Sequence, residues 1–253
     1  MTPFRCLPAS LLSAIVLIAT TIVATSSQAR AENRITSVVE LFTSQGCSSC
    51  PPADALLETY ANQPDVLALT MPVDYWDYLG WRDTFGKSAF SQRQRLYARQ
   101  RGDGRVYTPQ IVVNGLAHAV GFRGAKINSA IKKTGRKIND HRFAASLRRD
   151  GSQLVIDAIA KGPKAPKACK VWLVQIQSKA TVNVRHGENG GNKLTYYNVV
   201  RALSPLGTWR GEPMTIKMPK ALSDKNGAVD RYAVLFQDGD VGPIIGAASI
   251  AAP

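Results

Sequence analysis

Acidic side chains are scarce: 18 Asp+Glu stand against 32 Lys+Arg, for a formal charge of +14. The excess is dispersed over Arg93/Arg95/Arg99/Arg101, Lys132/Lys133/Arg136/Lys137, Arg148/Arg149 and Lys161/Lys164/Lys167/Lys170. Dispersion favours a solvated basic surface, or weak attraction to anionic envelope surfaces, over a nucleic-acid footprint. Cysteine is equally thin. Four in 253 residues exclude a small domain stapled by disulfides. Charged residues make up only 20% and hydrophobic ones 45%, which excludes wholesale disorder. Long apolar runs are missing after the first 24 residues. Histidine is limited to His118, His141 and His186, with no ligand spacing among them, so no metal or cofactor is expected.

The N-terminus carries its own signal. Arg5 precedes a 14-residue, mostly apolar stretch, Leu11–Ala24, and Ala29-Arg-Ala31 follows. Basic, apolar and small-residue segments in that order read as a cleavable export signal over 1–31. The stretch is short of the roughly 20 residues that cross a bilayer. The expectation is a periplasmic or secreted chain over 32–253, with no stable membrane insertion, charge +12, and Cys47, Cys50 and Cys169 as its cysteines.

Residues 35–43 (ITSVVELFT) suggest a buried strand and 66–73 a second strand; between them a helix is expected to start beside Cys50, where Pro51-Pro52 suit a first turn, and to continue over 53–62. An aromatic loop, DYWDYLGW, spans 74–81, and 83–101 contains a basic helical stretch. Asn114-Gly115 between apolar runs signals a hairpin, and 124–134 reads as an amphipathic helix closing at Gly135. Beyond about residue 140 the pattern becomes short strands punctuated by Gly, Pro, Asn and Asp. The fold expected is an α/β domain in the order β-α-β-α-β-β-α over 32–138, followed by an antiparallel β-sandwich-like domain over 139–253.

Chemistry concentrates in Cys47-Ser48-Ser49-Cys50, at the first strand–helix junction. Two intervening residues bring the sulfurs together when the second opens a helix. The helix N-terminus then favours the Cys47 thiolate, the attacking species in disulfide exchange. Cys50 would resolve the mixed disulfide. So short a loop adds little chain-entropy stabilisation, which favours redox work over stapling. Zinc sites also use Cys-x-x-Cys. A Cu(I)-binding chaperone, with His118 as an added ligand, and a non-enzymatic binding module with a resting disulfide are therefore the alternative readings.

The runs VVELFTSQGCSSCPPADALL, VDYWDYLGWRD and YTPQIVVNG, with GENGG…LTYYNVVRAL at 187–203, resemble a family of secreted bacterial proteins of unassigned function that join a thioredoxin-like half to a β-rich half. The resemblance implies that the α/β domain over 32–138 is thioredoxin-like, with a redox pair at Cys47 and Cys50 and a cis-proline at Pro109 beside them. Partners would be protein thiols and disulfides in the cell envelope. Gly46 and the Ser-Ser dipeptide depart from thioredoxins proper, which leaves redox direction open.

Other residues receive provisional roles. Glu40, seven positions before Cys47, is an expected acceptor for the resolving thiol's proton. Asp74, Trp76, Trp81 and Thr108 are expected to line a substrate groove. Cys169 reads as a buried small hydrophobe. Arg101-Gly-Asp103 and Gly187–Gly191 read as turns.

Overall fold

The computed structural model describes residue 1 and residues 35–139, 143–151, 153–160, 168–219 and 228–251. Beyond residue 1, the segment expected to be an export signal, its expected cleavage site, Cys6 and His141 lie outside the described residues.

The described elements are β1 (Ser37–Thr43), α1 (Pro51–Ala61), β2 (Val66–Pro72), a 3₁₀ turn (Asp77–Leu79), α2 (Ser88–Arg101), β3 (Gln110–Val113), β4 (Ala117–Val120), α3 (Gly124–Asn139), β5 (Phe143–Asp150), β6 (Gln153–Ala160), β7 (Cys169–Asn183), β8 (Lys193–Trp209), β9 (Met214–Pro219), β10 (Arg231–Gln237) and β11 (Ile244–Ala251). Eight strands form one mixed sheet in the order β11-β10-β7-β8-β2-β1-β3-β4, and β5-β6-β9 form a second.

This corrects the expected fold. The molecule is mostly β, built around an eight-stranded mixed sheet. It is not a thioredoxin-like α/β fold followed by a β-sandwich. The seam is parallel pairing of β2 with β8 at Thr70–Val199. Side chains reinforce it: Thr70 Oγ1 donates to Tyr197 O at 2.6 Å, and Asn198 Nδ2 donates to Ala68 O at 3.0 Å. Asn198 has φ +50, a left-handed conformation that Asn tolerates better than most residues. Long β7 and β8 pair with each other on the other side of the seam.

Strand parity assigns the faces. On β1, Val39 and Leu41 pack with Ala53, Leu57 and Tyr60 of α1 and Ile127 of α3. Val38 and Phe42 point the other way, toward Phe90 and Tyr97 of α2 and Val174, Ile176 and Leu235. Alternation by two thus puts Glu40 on the α2 face and Thr43 on the α1 face. A further apolar cluster joins Leu147, Leu154, Ile156 and Met218 of the small sheet to Cys169, Val171, Val234 and Ile245 of the large one.

The expected Asn-Gly hairpin is present, with φ +54 at Asn114 and +69 at Gly115. Asn114 also anchors it: Oδ1 accepts from Val38 N–H at 2.6 Å, and Nδ2 donates to Thr134 Oγ1 at 2.9 Å. A Cβ on Gly115 would lie 2.3 Å from the carbonyl oxygen of Gly242, so only glycine lets this turn seat against the loop after β10.

Candidate functional site

Cys47 and Cys50 form a disulfide with Cα atoms 5.4 Å apart. The local fold explains the pairing. Cys47 N–H donates to Ser44 O, and Cys50 N–H to Cys47 O, both at 3.1 Å, winding the chain into a tight turn. Cys50 is the N-cap of α1, its carbonyl accepting from Ala53 and Asp54 N–H. Pro51 and Pro52 fill the first helical positions, where a missing N–H costs nothing. Cys47 retains 3% exposure and Cys50 none, while Ser48 and Ser49 between them are exposed. Ser49 Oγ lies 3.5 Å from Cys47 Sγ.

The Thr108–Pro109 bond is cis. Pro109 stands beside the first turn of α1: a Cβ built on Gly121 would lie 3.0 Å from Pro109 Cβ and 2.7 Å from Ala53 Cβ. Trp76 links this loop to the cysteine turn. Its Nε1 donates to Thr108 Oγ1 at 2.7 Å, and its Cβ lies 3.2 Å from where a Cβ on Gly46 would sit. Glycine at 46 makes that approach possible. Trp81 Nε1 donates to Gln45 Oε1 at 2.8 Å, two residues before Cys47. Trp76, Trp81 and Thr108 therefore gather around the cysteine turn. Tyr78 stacks on Trp76 and is 76% exposed. Asp74 is turned to α2, accepting from Ser91 Oγ at 2.5 Å.

Glu40 lies elsewhere from its expected place. It is 1% exposed on the α2 face of β1 and paired with Arg93 Nε at 2.7 Å. Tyr97 O–H donates to its second oxygen at 2.5 Å. Arg93 also donates to Tyr97 Oη and to Gln237 Oε1, so the network joins β1, α2 and β10. The sheet separates this network from α1.

Two buried carboxyls lie on the cysteine side, Asp54 and Asp83, and of these Asp54, which the sequence reading passed over, is on the same helix as Cys50. It lies four residues after Cys50 on the same face of α1. It is 4% exposed, and among the described residues neither of its oxygens has a hydrogen-bond partner. Burial pushes its pKa up to about 8; the neighbouring Thr43 hydroxyl pulls down by less, and Asp83 adds a small upward push. Asp83 itself is raised to about 6, again chiefly by burial, although Gln45, Phe85 and Gly86 N–H groups oppose the rise. The spacing Cys50-x-x-x-Asp54 on a helix was the available signal.

A second unread contribution comes from the β7–β8 hairpin tip, Gly187–Gly191. It is a turn, as expected, but it docks on the cysteine loop. Asn189 Nδ2 donates to Gln45 O at 3.0 Å and Cys47 O at 2.9 Å. Glu188 Oε2 accepts from Ser48 N–H at 3.0 Å. A Cβ on Gly187 would lie 3.2 Å from Trp81 Cβ.

The remaining residues fall into structural settings. His118 Nε2 lies 3.0 Å from Asp103, and its Nδ1 lies 2.8 Å from Tyr107 Oη, so both ring nitrogens are engaged. Desolvation, with help from Arg101, lowers its pKa. His186 lies against the Trp81 ring. Asp103 accepts from Arg101 Nε and Arg105 N–H, making Arg101-Gly-Asp103 a braced turn. Cys169 is buried in the second core, where desolvation raises its thiol to about 12, as suits a small apolar side chain.

A sequence profile for the family described as "Protein of unknown function (DUF1223)" matches residues 38–237, and the chain belongs to that family. The X-ray crystal structure of an Agrobacterium tumefaciens protein is similar at 34% identity and TM-score 0.75, covering 86% of this chain and 94% of that one. HBP35 of Porphyromonas gingivalis shares the fold at TM-score 0.58 and 13% identity, over 86% of this chain and 75% of its own. No curated protein matches.

Proposed function

We propose that this chain is an exported thiol-disulfide oxidoreductase acting on protein thiols and disulfides of the cell envelope. The carrying observation is the Cys47–Cys50 bond at the first turn of α1, flanked by exposed Ser48 and Ser49. A loop that short contributes little to stability. A helix N-terminus is where a cysteine thiolate is held most readily. Cys47 is the attacking sulfur, since it retains the slight exposure while Cys50 has none. Trp76, Thr108, Trp81 and exposed Tyr78 form the rim a substrate polypeptide meets. Asp54, one turn below Cys50 and largely protonated at neutral pH, accepts the Cys50 proton through its ionised fraction when that thiol resolves a mixed disulfide, and does so more readily as pH rises toward 8.

Trapping tests this reading. Cys50→Ser removes the resolving sulfur, so Cys47 should accumulate in mixed disulfides with envelope proteins, visible on non-reducing gels and absent from Cys47→Ser/Cys50→Ser. A folded, exported Cys50→Ser variant that captures nothing would overturn it.

A further inference from the structure

The hairpin tip has a chemical consequence at the sulfurs. Reduction of the pair by a substrate dithiol breaks the Cys47–Cys50 bond and forms the substrate disulfide. Two electrons and two protons pass to the enzyme, and Cys47 holds one sulfur as thiolate in proportion to its acidity. Helix-terminal and turn N–H groups stabilise that thiolate. The N–H of Ser48, the residue bonded directly to Cys47, is occupied by Glu188 Oε2 at 3.0 Å. Bonds from the Ser48 side chain and backbone hold the exposed Glu188 carboxyl below its usual range, so it is an anion at neutral pH. Asn189, 4% exposed, fixes the tip by bonding the Gln45 and Cys47 carbonyls. A negative charge is thus held against the residue bonded to Cys47, next to the sulfur on which a second negative charge must develop.

We propose that Glu188 is a positioning residue that sets the poise of the couple: it disfavours the Cys47 thiolate and biases the pair toward its disulfide form. This inference rests on the redox reading above and assigns the β7–β8 hairpin a part in it. Other charged or titratable groups near the turn include Asp54 on α1, Asp83 behind Gln45, Asp77 bonded to Asp83 N–H, and His186 against Trp81. Those groups are common to wild type and variants, so differences among the three proteins report the charge at 188.

The test measures Cys47 pKa by thiolate absorbance in the reduced protein, and the pair's equilibrium with glutathione, for wild type, Glu188→Gln and Glu188→Lys. The expected order of thiol pKa is wild type above Gln above Lys. Each step should be about one unit at low salt and shrink in 1 M salt, where the Debye length falls to about 3 Å. A tenfold gain in the reduced form corresponds to a rise of about 30 mV in potential. Equal values for all three proteins, or equal changes in Gln and Lys that ignore salt, would overturn the inference and leave the redox reading standing. A wild-type pair that does not exchange with glutathione would instead defeat the redox reading.

Discussion

Glu40→Ala is expected to lower unfolding free energy by about 3–5 kcal/mol, the usual cost of stranding one partner of a buried ion pair. Arg93 would keep its charge at 5% side-chain exposure with its carboxylate gone. Tyr97 would lose the acceptor of its 2.5 Å bond. The loss should be cooperative, because Arg93 and Tyr97 also hold Gln237, and Gln237 Nε2 holds the carbonyl of Gly242. Replacing the pair together, Glu40→Leu with Arg93→Met, should recover much of the loss, since apolar residues of similar volume often match a buried ion pair. Urea midpoints with unchanged m-values would measure both. A single variant as stable as wild type would show that the network does not join β1, α2 and β10 energetically.

The second large effect is the pH dependence set by Asp54. Its carboxyl has a raised pKa in the folded chain, about 8 against an ordinary 3.8. A raised acid keeps its proton in the folded state while the unfolded chain releases it. The stability it contributes is therefore complete below about pH 4 and is lost as pH rises toward 8. At 1.36 kcal/mol per pKa unit the loss is on the order of 5 kcal/mol. Asp83 adds a smaller decline in the same direction, finished near pH 6. Asp54→Asn should flatten most of the slope and be more stable than wild type at pH 8. It should also slow resolution of mixed disulfides, by a factor that grows as pH rises toward 8 and the wild-type carboxyl ionises. Parallel stability–pH curves for the two proteins would remove Asp54 as a buried acid.

Local signals were readable where residues a few positions apart decide the outcome. Asn114-Gly115 turns as such a pair must, and Pro51-Pro52 after Cys50 starts α1 where proline tolerance placed it. Parity on β1 was hidden because both faces are buried: Val38, Val39, Leu41 and Phe42 give no contrast that would tell where Glu40 points. The long β7–β8 hairpin looked like several short strands. Pro205 and Gly207 interrupt β8, yet a register shift at Val171/Trp172 absorbs them within one ladder. Ile244–Ala251, rich in small residues, gave too little β-signal to be read, although β11 forms the sheet edge beside β10. The seam at Thr70–Val199 and the docking of Glu188 and Asn189 on the cysteine turn join residues more than 120 positions apart. No periodicity carries such information. The expectation of two separately built folds failed there.

The central claim is that the Cys47–Cys50 bond is a working couple. Equilibration in glutathione buffers of graded potential, followed by alkylation and mass measurement, tests it most directly. The account predicts interconversion of disulfide and dithiol at a potential between roughly −270 and −120 mV, the span of redox-active pairs. A bond that stays closed below about −300 mV, as structural disulfides do, would contradict it.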